Sequence, residues 1–204
     1  MTSKIKSLLL AIIRREHLHA KWLNTLSYLE NCGARKIASC EHPTFVKESM
    51  LKHAAEEFRH SHYLKCQIKK VTSTSFDNFT LPFILGGVSS LRYLDRLDLF
   101  ASQFLIKDVG LSKEQAKMFA YHLVTYAIEL RAQQLYPVYH EALRMLQAKV
   151  YVKSILLEEE EHLREMEEGL KALPLGFVYA GKICAFEEGL FQKWIETVAN
   201  EVFQ

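Results

Sequence analysis

Apolar residues recur every three to four positions over most of the chain, a period that predicts helices. Leu23, Leu26, Ala34 and Ile37 share one helical face, as do Met50, Ala54, Leu64 and Ile68, and again Val152, Ile155, Met166 and Leu170. The run Leu8 to Ile13 is short and passes straight through Arg14 and Arg15 into the rest of a first helix. A turn is expected near residue 44, with Pro43 suited to the first position of the next helix. Val71 to Asn78 is rich in turn residues, Pro82 and Gly86-Gly87 break the chain again, and 89–106 reads as an extra amphipathic helix. Ser112 followed by Gln115 forms a capping box that opens the next long helix. Pro137 is expected to kink that helix. A second turn is expected near Met145 from spacing alone, because Gln147-Ala148-Lys149 contains neither glycine nor proline. After Pro174 and Gly176, a last helix over 182–203 carries Ile183, Phe186, Leu190, Trp194 and Val198 on one stripe, to cover the helices before it or to join a homodimer. The expectation is one all-α domain over 1–204, a four-helix bundle with an additional crossover helix and a C-terminal helix.

The inner stripes also carry charge. Glu30 lies on the first, Glu57 and His60 on the second, and Glu159 and His162 on a third, while Glu129 precedes Glu159 as Glu30 precedes Glu57. Acidic side chains are rarely buried unless paired or bound to metal, so six ionisable groups on inner faces need a partner. In Glu-x-x-His the two side chains point the same way from one helix and can share a metal ion. The separations are 27 residues from Glu30 to Glu57 and 30 from Glu129 to Glu159, which suits two antiparallel hairpins. Glu30 maps onto Glu129 at an offset of 99, and Glu57 and His60 map onto Glu159 and His162 at an offset of 102, the mark of a diverged repeat with a pseudo-two-fold axis. Glu16-x-x-His19 has the same spacing but no counterpart in the second half. It lies ~16 Å along the helix from Glu30 and reads as an ion-pairing end of the bundle.

The ordered set Glu30, Glu57-x-x-His60, Glu129, Glu159-x-x-His162 resembles the ferritin-like di-iron carboxylate superfamily, over roughly residues 5–70 and 113–173. The resemblance implies a ferritin-like bundle holding two iron ions, with manganese or a mixed manganese–iron pair as the alternative. It implies bridging roles for Glu57 and Glu159, terminal roles for Glu30 and Glu129, and one metal each for His60 and His162. The extra helices would crowd the contacts of a storage cage. They are closer in layout to di-iron oxygenases such as the aldehyde-deformylating enzymes. The activity implied is dioxygen activation on a small apolar organic substrate, with an external electron donor. A ferroxidase or oxidative-stress protein would instead oxidise iron without an organic substrate, and a metal-binding structural protein without turnover would show a filled core beside the metals.

Composition adds bounds. A net charge of +2 with scattered basic residues gives no ground for nucleic-acid binding. Without a signal peptide or an apolar run long enough for a membrane span, a cytoplasmic location is expected. Cys32, Cys40, Cys66 and Cys184 form no Cys-x-x-Cys pair, so a rubredoxin-type iron site is not encoded in these residues, and reduced thiols are expected, with Cys32 flanking the site. His53 and His122 fall on inner stripes, as satisfied core histidines or hydrogen-bond partners of ligands, outside the metal set. Tyr63, Tyr126 and Tyr136 are expected in the core rather than as radical sites. Asp95 and Asp98 read as surface acids, and in the run 158–161 only Glu159 faces inward. Phe45, Met50, Leu64, Ile68, Phe79, Phe83 and Phe100 form either an apolar channel or plain core.

Overall fold

The structure, a computed structural model, describes residues 2–204, and every regular element among them is helical. Eight α-helices follow one another: α1 Thr2–Ile13, α2 Glu16–Cys40, α3 Glu48–Ile68, α4 Gly87–Leu91, α5 Tyr93–Gln103, α6 Lys113–Met145, α7 Lys153–Lys171 and α8 Gly176–Phe203. A 3-10 turn spans Leu81–Phe83 and a π-helical turn spans Phe104–Asp108. No helix among the described residues is long and apolar enough to cross a membrane.

Two hairpins position the site. In the first, α2 runs antiparallel to α3, and small residues bring the backbones close: the Ser27 hydroxyl donates to the Ser61 carbonyl and the Ser61 hydroxyl to the Ser27 carbonyl, both at 2.8 Å. These reciprocal bonds bury two hydroxyls with partners and fix the register that sets Glu30 opposite Glu57. In the second, α6 opens with the expected capping box, in which Ser112 and Gln115 exchange side-chain and backbone bonds. It packs against α7 at Gly169, where a Cβ would come within 2.4 Å of His122 Nδ1. The hairpins meet along α3 and α7, whose exposed edge carries Lys52 between Glu161 and Glu165, and Arg59 2.9 Å from Glu158. Such exposed pairs contribute at most about 1 kcal/mol each, so they align the helices more than they hold them.

The last helix closes the assembly against α5 and α6. Its Trp194 stacks on Trp22 with centroids 5.6 Å apart and donates its indole N–H to Ser90 Oγ at 2.6 Å. Each indole buries about 200 Å² and, at about 25 cal/mol per Å², contributes up to roughly 5 kcal/mol to the core. The expected stripe is inward, with Ile183, Leu190, Trp194 and Val198 buried and Phe186 stacked on Phe100. α8 therefore covers its own chain along this face.

Several boundaries differ from the sequence expectation. The first helix is two helices, because Arg15 is extended (φ −115°, ψ 107°) and the apolar run forms α1, which packs against α6 and α8 as well as α2. Arg15 ties this break to the far end of the chain by donating to the Val202 carbonyl. Pro43 lies within the 41–47 connection, five residues before α3 opens at Glu48. The turn after Met145 forms as expected, with Gln147 accepting a left-handed φ of 50° in place of glycine. The crossover is split at Arg92 into α4 and α5. Pro137 lies inside α6, with helix on both sides of it and Leu135, Tyr136 and Tyr139 buried around it. Glu16-x-x-His19 does not form an ion-pairing end: His19 is buried and its Nε2 lies 2.7 Å from the Tyr139 hydroxyl.

Candidate metal centre

The six acidic and imidazole residues singled out by spacing converge between the hairpins. One ligand atom each from Glu30, Glu57, His60 and Glu159 falls within 4.8 Å of the others, and the same holds for His53, Glu57, Glu129 and His162. Glu57, His60, Glu129, Glu159 and His162 are almost fully buried. Glu30 is half-buried because its carboxylate borders a cavity.

The contacts are reciprocal between the two halves. Glu57 sets Oε1 3.2 Å from His162 Nδ1 and Oε2 3.6 Å from His60 Nδ1. Glu159 mirrors it, with Oε1 3.0 Å from His60 Nδ1 and Oε2 3.4 Å from His162 Nδ1. Each of these carboxylates spans both imidazoles. The outer ring nitrogens are held across the interface between α3 and α7: His60 Nε2 lies 2.6 Å from Glu158 Oε2, and His162 Nε2 lies 2.9 Å from Glu56 Oε2. A carboxylate that accepts from Nε2–H turns Nδ1 inward, the orientation a metal-ligating imidazole needs.

Glu56 and Glu158 were missed by reading the chain as separate stripes, and Glu158 is corrected from plain solvated face to partner of His60. The signal was present as a doubled acid, Glu56-Glu57-x-x-His60 and Glu158-Glu159-x-x-His162. The neighbours sort as follows. The Tyr136 hydroxyl is buried and donates to Glu30, and burial together with the Glu30 charge pushes its pKa up, which keeps it protonated. His122 stays outside the cluster, with burial lowering its pKa to about 4. Asp95 and Asp98 both pair with Lys36 at the surface. The four cysteines are free thiols.

Electrostatics show what the cluster lacks. Among the described residues no lysine or arginine pairs with Glu30, Glu57, Glu129 or Glu159. Burial and the neighbouring carboxylates push Glu30 and Glu129 well above the usual range. Burial would raise Glu57 and Glu159 too, but the histidines outweigh it, and Glu159 falls to about 2 with a further hydrogen bond from Glu129. In return, burial would lower the histidines, but Glu159 and Glu57 lift His60 to about 12 and His162 to about 10. Protons therefore gather where the carboxylates demand positive charge. They do not satisfy the geometry, because Glu57 Oε1, His60 Nδ1, Glu129 Oε2, Glu159 Oε1 and His162 Nδ1 are all buried without a hydrogen-bond partner. Buried polar atoms left so cost about 1–3 kcal/mol each, more when charged. These unpartnered atoms point at one another, and the donor set of carboxylate oxygens with imidazole nitrogens fits divalent transition metals. Four carboxylates also balance two divalent cations.

A cavity of about 320 Å³ adjoins the cluster. Glu30, Glu57, Glu129, Glu159 and Tyr136 line its inner end, and Leu26, Leu29, Ile37, Val124, Ile128 and Leu135 line its walls. Its exposed members are Ser39, Ile106, Lys113 and Lys117, so it opens where the end of α2, the π-helical turn and the first turns of α6 meet. None of the seven apolar residues expected as a channel or as plain core lines it: Met50, Leu64 and Ile68 are buried core, Phe45 is 75% exposed, and Phe79 packs on Tyr28. Comparison of the chain with protein-family models, with curated proteins and with solved structures finds no match in any of the three.

Proposed function

We propose that the protein is a di-metal carboxylate oxidoreductase that activates dioxygen and oxidises a small apolar organic molecule. In this reading α2, α3, α6 and α7 form a ferritin-like four-helix bundle, with α4 and α5 as its crossover and α8 as its added helix. Glu30, Glu57, His60, Glu129, Glu159 and His162 hold two iron ions, or manganese in one or both places. The resemblance would give Glu57 and Glu159, each facing both imidazoles, the shared roles, and Glu30 and Glu129 the terminal ones.

The observation that carries the organic substrate is the cavity ending on the carboxylates themselves. A structural metal protein without turnover calls for filled core at that place. Held by these residues, a metal pair would supply electrons for dioxygen reduction, to be restored by an external donor. The chain's own residues do the rest. Glu158 and Glu56 orient the imidazoles, and Tyr136 holds Glu30 in place by donating to it. The apolar walls receive the substrate and keep bulk water from the reacting end.

Oxygen uptake by the iron-loaded protein with a chemical reductant, measured with and without fatty aldehydes or acids, tests the reading. Uptake stimulated by such a compound together with its oxidised product is expected. Rapid iron oxidation unaffected by any of them would replace this reading with a ferroxidase.

A further inference from the structure

We infer that His53 is a third imidazole ligand, so that the two metal positions are chemically unequal. This rests on the dinuclear reading above and departs from its symmetric six-residue set. His53 sits on α3 one turn before Glu57, so the two side chains leave the helix in the same direction. It is completely buried. Its Nε2 lies 3.1 Å from Glu129 Oε1 and 3.5 Å from Glu57 Oε1, and its ring centroid is 4.1 Å from that of His162. Its other nitrogen, Nδ1, lies 3.4 Å from the Tyr121 hydroxyl. A proton on Nδ1 directed at that hydroxyl leaves the Nε2 lone pair facing the carboxylates, the tautomer of a ligand.

The repeat shows that this is not part of the symmetric design. The offset of 102 that carries Glu57 and His60 onto Glu159 and His162 carries His53 onto Ile155, a buried aliphatic residue. One position is therefore surrounded by His53, His162, Glu57 and Glu129, and the other by His60, Glu30, Glu57 and Glu159. A hydrogen bond to Glu129 alone accounts for the short contact, but it leaves Glu129 Oε2 and His162 Nδ1, on the same side of the cluster, without partners. A cation shared by His53, Glu129 and His162 satisfies all three. Imidazole nitrogen suits iron better than manganese, while carboxylate oxygen suits manganese, so the His53 position prefers iron and the other accepts manganese more readily.

X-ray absorption of the protein loaded with ferrous ion counts imidazoles directly. Three imidazoles shared by two ions are expected in the wild type, and two in His53→Gln, whose amide still donates to Glu129. In anaerobic titrations His53→Gln should weaken one of the two equivalents by about tenfold or more and leave the other unchanged. Two imidazoles in a wild type that binds two ions, or unchanged affinities in a folded His53→Gln, would overturn the inference while leaving the dinuclear reading intact. A wild type binding fewer than two ions would remove the reading itself. If His53→Gln does not fold, the wild-type imidazole count alone decides.

Discussion

The protein buries two charged clusters against the same helix, and only one of them completes itself. Glu129 and Arg131 are two residues apart on α6 and so leave it in nearly opposite directions. On one side Arg131 makes a bidentate pair with Glu187 at 2.9 and 2.7 Å, and Glu188, Gln134 and the Tyr93 hydroxyl, which donates to Glu187, complete it. Phe191 lies 3.8 Å beneath the guanidinium. On the other side four carboxylates and three histidines meet with no arginine or lysine among them, and five of their buried atoms lack a partner. A buried ion pair that carries its own cation is a structural tie between α6 and α8. A buried cluster of carboxylates and imidazoles without one, its inner atoms left unpartnered, has a donor set that suits a divalent cation.

The comparison breaks if the Arg131 cluster is not a tie. Arg131→Met strands Glu187 and should cost about 3–5 kcal/mol in denaturant unfolding, equally with and without added divalent metal. A loss below about 1 kcal/mol, or one that metal reverses, would dissolve the contrast. The outer carboxylates sharpen it from the other side. Glu56→Ala or Glu158→Ala frees one imidazole to turn and should weaken metal binding by about 10–100-fold, or roughly 1.4–2.8 kcal/mol, with little effect on the metal-free fold. Isothermal titration would read this, and an unchanged affinity would assign both residues to the surface.

His19 offers a third case, a buried polar group with no charge on either partner. Burial lowers its pKa to about 4, against about 6.5 when unfolded. Between those values the unfolded chain takes up the proton more readily, so stability falls as pH drops from 7 to 5, by about 2 kcal/mol from this residue. His19→Gln should remove that share of the pH dependence while leaving the dependence due to other groups. An identical slope in the variant would mean that His19 is charged in the fold. The smallest effect belongs to the cavity. Gly33 lines it from the middle of α2, and a Cβ there meets nothing within 4 Å. Gly33→Ala should stabilise the protein by up to about 1 kcal/mol through helix propensity alone. Gly33→Phe should fill the space and abolish stimulation by organic substrates while metal binding persists, and undiminished stimulation would place the substrate elsewhere.

Much of this was readable from the residues, for a physical reason that also marks where reading stops. The stripes through Glu30, Glu57, His60, Glu129, Glu159 and His162 depend on helical period, a local property, and all six meet in the structure. The Arg14-Arg15 break was invisible because it contains neither glycine nor proline and the apolar period continues across it. Glu56, Glu158 and the Tyr136 hydroxyl act across helix interfaces, which no single stripe encodes. His53 was recognised as an inner residue, but its closeness to both Glu129 and Glu57 depends on how the hairpins dock. The cavity is a packing property of several elements, lined mainly by α2, α5 and α6 rather than by the phenylalanines that stood out in the chain.

The most direct test of the central claim is anaerobic titration of the metal-free protein with ferrous ion, in parallel with Glu57→Gln, which alters a carboxylate that belongs to both ligand groups. The account predicts saturable binding of two equivalents by the wild type and loss of tight binding at both positions in the variant. Absence of saturable binding, or two equivalents bound equally well after Glu57→Gln, would contradict it.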